Sequence, residues 1–148
     1  MKKRIFAALT TAAFIAAAPS FAGDTPSPEG ASVYFGNLSD GDTVSGPVKI
    51  VFGLVGMGVA PAGTEKENTG HHHVLLNRPA LGVADGDDDI IAFGIPADDN
   101  HIHFGGGQTE TTLDLPSGTH TLQLVLGDLN HVPHDPVVAS DLITITVE

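Results

Sequence analysis

Thr119-His120-Thr121-Leu122-Gln123-Leu124-Val125-Leu126 decides the fold. His120, Leu122, Leu124 and Leu126 fall on one face when successive side chains alternate, with Thr121 and Gln123 on the other; that is the period of a strand, not of a helix. Pro116-Ser117-Gly118 turns the chain just before it. Outward from this stretch the same signals recur. Asp141–Val147 carries Leu142, Ile143, Ile145 and Val147, and Thr109–Leu115 sets Thr111, Leu113 and Leu115 on one face. Toward the N terminus, a strand begins at His71 and ends near Arg78-Pro79. His101–Phe104 reads as a short strand stopped by Gly105-Gly106-Gly107. Val48–Val55 is rich in β-branched residues, and Ser32–Gly36 precedes the turn formers of Asn37–Asp42. Ile90–Phe93 is expected to be one more short strand. No segment keeps a helical period over three turns. Seven or eight short antiparallel strands predict an all-β, immunoglobulin-like β-sandwich, with a small closed barrel as the second architecture.

The ends set further bounds. Lys2, Lys3 and Arg4 precede the uncharged apolar run Ile5–Ala18, and Ser20-Phe21-Ala22 puts small residues where a signal peptidase reads. Residues 1–22 are therefore expected to be a secretory signal peptide, cut after Ala22. Residues 23–30 are then a flexible, proline-containing lead-in and 31–148 a single β-sandwich domain, periplasmic or secreted. The cut removes half of the six basic residues and none of the eighteen acids, deepening the formal net charge of −12 by three. Such a surface repels nucleic acid and anionic lipid and favours cations. No later stretch is long and apolar enough for membrane insertion. With no cysteine, the core must hold the fold without a disulfide, and thiolate chemistry is excluded.

All eight histidines lie between His71 and His134. Residues two apart in a strand share a face, about 6.6 Å from one another. His71 and His73 then point one way and His72 the other, beside Val74 and Leu76. His101 and His103 share a face, with Ile102 and Phe104 opposite. His131 and His134 sit three apart in a loop stiffened by Pro133 and Pro136. Asp128 is expected either to ligate or to orient a histidine. The candidate metal ligands are thus His71, His73, His101, His103, His131 and His134, with Asp128. His120 and His72, each on an otherwise apolar face, read as core histidines. Asp85-Gly86-Asp87-Asp88-Asp89 offers oxygen donors but lacks the EF-hand spacing and its closing Glu, so it reads as a solvated acidic turn.

The donor set narrows the metal. Met57 is the one thioether left after the cut, which argues against Cu(I), and a blue-copper site would need a Cys. Imidazole with carboxylate suits copper(II) first and zinc(II) second. Histidines of ordinary pKa, about 6.5, would release the ion in mild acid. The expected function is metal binding for storage, buffering or delivery, with the ion and another periplasmic protein as partners and no catalytic residue assigned. Two other classes stand beside it. One is a structural or interaction module whose histidines satisfy one another. The other is a metal-dependent enzyme, which needs an open coordination position and a base.

Four segments together carry a resemblance: Gly70-His71-His72-His73-Val74-Leu75, His101-Ile102-His103-Phe104-Gly105-Gly106-Gly107-Gln108-Thr109-Glu110, Gly118–Asp128 and His131-Val132-Pro133-His134. From about Val59 onward the chain resembles the secreted bacterial family filed as domain of unknown function 4399. The resemblance implies an exported all-β domain and lends it no established activity. Ser39–Val48 is similar to the opening of bacterial immunoglobulin-like modules, which bears on the fold alone.

Overall fold

A computed structural model describes residues 25–148. The expected signal peptide and its cut after Ala22 lie outside the described residues. Among these, nine strands and one helix follow in the order β1 (Ser32–Phe35), β2 (Thr43–Val44), β3 (Val48–Val55), β4 (Gly58–Val59), β5 (Thr69–Leu76), α1 (Asp87–Phe93), β6 (His101–His103), β7 (Glu110–Leu113), β8 (Gly118–Gly127) and β9 (Ile143–Val147). One sheet has the order β1-β3-β7; the other runs β2-β9-β8-β5-β4, with β6 also paired to β5. Pairing is antiparallel except for the two-residue contacts β2–β9 and β4–β5. The described residues form an all-β sandwich of two sheets, with no barrel among them.

Alternation builds the core between them. β3 turns Val48, Ile50 and Phe52 inward. Across the gap, β5 and β8 are in register with His72 opposite Leu126, Val74 opposite Leu124 and Leu76 opposite Leu122. Ile143, Ile145 and Val147 of β9 complete this layer. One face of a peripheral antiparallel sheet is ordinarily wet. Here the outer face of β5 and β8 is covered as well: Leu75 and Val125 are fully buried beneath Ile95, Leu81, Ile90 and Ala139. The connection from β5 to β6 lies across that face. Gln123 is buried under it with its amide satisfied, accepting from the Leu81 amide at 2.8 Å and donating to the Ser140 carbonyl at 2.9 Å.

Two readings of this connection are corrected. Ile90–Phe93 is not a strand, and the acidic run before it is not simply solvated; together they form α1. Asp87 makes the difference. Its buried carboxylate accepts from the amides of Gly82, Val83 and Ala84 and pairs with Arg78. Burial alone would raise its pKa, yet Arg78 and those amides hold it below the usual carboxylate value. Asp87, Asp88 and Asp89 lie in the first turn, where the helix dipole favours anions. A helix of seven residues shows no sustained period in sequence. β2 and β4 escaped the pattern for the same reason, being two residues each. The start of the expected free lead-in is also tied down. Ser27 donates its amide to Asp135 at 3.0 Å, and Asp135 donates to Thr25 at 2.9 Å.

Removing the Asp87 carboxylate strands a buried guanidinium and three amides. Asp87→Ala is expected to cost about 3–5 kcal/mol in urea unfolding. Glu110→Gln, which breaks the exposed 3.2 Å pair with Lys49, should cost less than about 1 kcal/mol.

Candidate metal centre

The covered outer face of β5 receives its odd-numbered side chains, so His71 and His73 enter it side by side, both fully buried. β6 runs antiparallel along one edge and sets His103 opposite His73. On the other side β8 places Gly127 opposite His71. The chain then leaves the sheet and turns, bringing His131 back over the same spot. The ring of His71 lies 4.7 Å from that of His73, 5.0 Å from His103 and 4.9 Å from His131. His103 and His131 are 4.5 Å apart. One ring nitrogen from each of the four lies within 4.8 Å of the others. His71 and His73 form the floor; His131 is half-buried and His103 exposed, so the group opens on one side.

Two glycines make room for these rings. A Cβ on Gly127 would stand 2.6 Å from Cε1 of His73, and one on Gly105 would stand 2.3 Å from Cε1 of His103. The loop after β4 braces the segments that carry His103 and His131, since Ala62 donates its amide to Gly105 and Gly63 donates to Leu129, each at 2.9 Å. Asp128 shapes the turn that carries His131. Its Oδ1 accepts from the amides of Asn130 at 2.8 Å and Val132 at 3.0 Å, and its carbonyl accepts from the His131 amide at 3.1 Å. His131 adopts φ 69°, in the left-handed region, which costs a side-chain-bearing residue roughly 1–2 kcal/mol. The turn holds it there while the His131 carbonyl accepts from Ile95 at 2.9 Å.

Burial first, and then the neighbouring rings His131 and His103, push the pKa of His71 down to about 4. Burial followed by His71, His103 and His131 lowers His73 to about 2. His103 is lowered for the same two kinds of reason. The floor of the group is therefore neutral imidazole. A neutral ring offers one N–H and one lone pair. His71 Nε2 lies 3.1 Å from His131 Nδ1, so one of these donates to the other. The Nδ1 of His71 and both nitrogens of His73 are buried without a protein partner, at about 1–3 kcal/mol for each unmet group. Converging neutral nitrogens are the donor set of a d-block ion. A tetrahedral ion with bonds of about 2.0–2.1 Å sets its ligand atoms about 3.4 Å apart, within the 4.8 Å that spans the four nitrogens.

The structure brings together His71, His73, His103 and His131 and sets the other candidates elsewhere. His101 does face the same side as His103. The antiparallel register, however, pairs it with Leu75, beyond His73 and away from His71. There Arg78 donates to its Nε2, and its Nδ1 donates to Asp98 at 2.8 Å. His134 lies on the opposite face of the sheet over Gly70, with its ring nitrogens 3.2 Å and 3.4 Å from the carbonyls of Thr69 and Leu126. Both oxygens of Asp128 accept from protein donors, Oδ2 from the Thr25 hydroxyl and Oδ1 from the Asn130 and Val132 amides. His72 packs against Phe52 in the core with ring centroids 4.9 Å apart. His120 donates to the Pro116 carbonyl at 2.8 Å and faces the Asn77 amide. Gly105 and Gly127 look in sequence like strand stops. The signal in sequence for Gly105 is its spacing, two residues after His103.

A family model described as domain of unknown function DUF4399 matches residues 50–148, a span that contains all four rings. No curated protein and no solved structure matches the chain.

His71 and His73 stay neutral in the folded protein but take up protons below about pH 6.5 once unfolded. The unfolded state thus binds more protons there, and folding stability falls as pH falls. The metal-free protein is expected to keep its full stability above about pH 6.5 and to lose about 1.4 kcal/mol per pH unit for each ring below it. That loss runs on toward pH about 4 for His71 and about 2 for His73. Urea midpoints at pH 7.5, 6 and 5 check this; replacing both residues with Gln should flatten the slope.

Proposed function

The chain belongs to the domain of unknown function DUF4399 family, whose description assigns no activity, and we propose that it is an exported carrier of one transition-metal ion, copper(II) first and zinc(II) second. His71, His73, His103 and His131 hold the ion, which is cargo for storage, buffering or delivery. One observation carries this reading. His73 is fully buried with neither ring nitrogen partnered, and it belongs to a group of four imidazoles with one ring nitrogen of each within 4.8 Å of the others. An ion bound there would turn an unmet desolvation cost into a bond. The four donors are imidazole nitrogens, a set that copper(II) heads among divalent ions and zinc(II) also accepts. The basic and then apolar start of the chain supports placing the role in the periplasm.

Neutral ligands also change the expected response to acid. Rings of ordinary pKa would lose the ion near pH 6.5, but His71 and His73 compete weakly for protons. Loading is therefore expected to survive at pH 5.5 and to fail at lower pH.

Calorimetric titration of the purified protein with copper(II) and zinc(II) tests the proposal. One ion per chain is the expected stoichiometry, with copper(II) the tighter. His73→Gln or His131→Gln should weaken binding by tenfold or more on the order of one lost ligand bond. His101→Gln and His134→Gln should leave stoichiometry unchanged. A protein with no saturable site at micromolar copper(II) or zinc(II) would sink the reading.

A further inference from the structure

We propose that Thr25 is a positioning residue for the metal centre, and that Thr25–Ser27 is a strap whose attachment and metal binding strengthen one another; this rests on the metal-binding reading above. The Thr25 hydroxyl donates to Asp128 Oδ2 at 2.6 Å. Oδ1 of the same carboxylate is taken by the Asn130 and Val132 amides. Asp128 is 4% exposed, so water is a poor substitute for the hydroxyl. The strap also grips the far end of the loop. Asp135 donates its amide to Thr25, Ser27 donates its amide to Asp135, and the Ser27 hydroxyl donates to the Pro136 carbonyl at 2.7 Å.

His131 lies between these two grips. Its ring reaches His103 and His71 only while its backbone stays left-handed. A loop released at Asp128 would let that backbone relax and would draw the ring out of the group. The hydrogen bonds of Thr25 and Ser27 go to Asp128, Asp135 and Pro136 and not to the four rings, so the strap acts through Asp128. Coupling between two binding events is reciprocal. If the strap favours the metal-ready position of His131, a metal ion on His131 must favour the attached strap.

The test compares wild type with Thr25→Val, which keeps the shape and removes the hydroxyl, and Thr25→Ser, which restores it. Copper(II) titration is expected to show an unchanged stoichiometry in Thr25→Val with affinity lowered on the order of tenfold, the scale of a hydrogen bond to a charged group. Thr25→Ser should return to the wild-type value. Amide hydrogen exchange gives a second readout: exchange at Ser27 should slow when copper(II) is added to wild type and not when it is added to His73→Gln. Wild-type affinity in Thr25→Val, or Ser27 exchange indifferent to copper(II) in a wild type that binds it, overturns the strap and leaves the metal site standing. A wild type that takes up no copper(II) overturns both. If Thr25→Val does not fold, the wild-type exchange comparison decides.

Discussion

A strand buried on both faces has no water in which to leave a polar side chain. β5 is such a strand, and it carries three consecutive histidines into that position. The even-numbered ring, His72, goes to the sandwich core and lies against Phe52. The odd-numbered rings go to the outer face, where the β5–β6 connection and the Asp128–Val132 turn shut out solvent. Everything around the site answers the question of what those two rings meet. His103 arrives from one edge by register, His131 from the other by a turn, and two glycines leave room for the rings of His73 and His103.

The same molecule shows the opposite solution a short distance away. Asp87 is also buried, yet its carboxylate meets three amides and a guanidinium. Gln123 and His120 are likewise provided for. A chain with no cysteine has no cross-link to absorb the cost of unmet polar groups. That makes the concentration of unpartnered nitrogen at His71, His72 and His73 a local exception in a well-satisfied fold. Exceptions of this kind are where a fold and a functional demand part company.

Alternation alone made much of this legible. It gave the strands from Thr119 and Val48, and it split His71 and His73 from His72. It also gave the shared face of His101 and His103, but a shared face is not a shared site. Which of the two rings meets His73 depends on antiparallel register, and a single sequence does not specify register. His134 is excluded by sidedness, because the loop carries it over Gly70 and round to the core face. His131 is placed by a backbone angle that an Asp-Leu-Asn-His stretch permits without announcing. The helix α1 stayed hidden because its anchor, the Arg78–Asp87 pair, joins residues across a loop and leaves no period behind.

Gly105 and Gly127 admit the rings by what they lack. The site is therefore encoded partly by two absent methyl groups, which no inventory of donor atoms registers. A relative can keep every histidine and lose the chamber through one glycine-to-alanine exchange. Tracing this chamber through related sequences thus calls for a fingerprint of six positions, four that donate and two that stay empty.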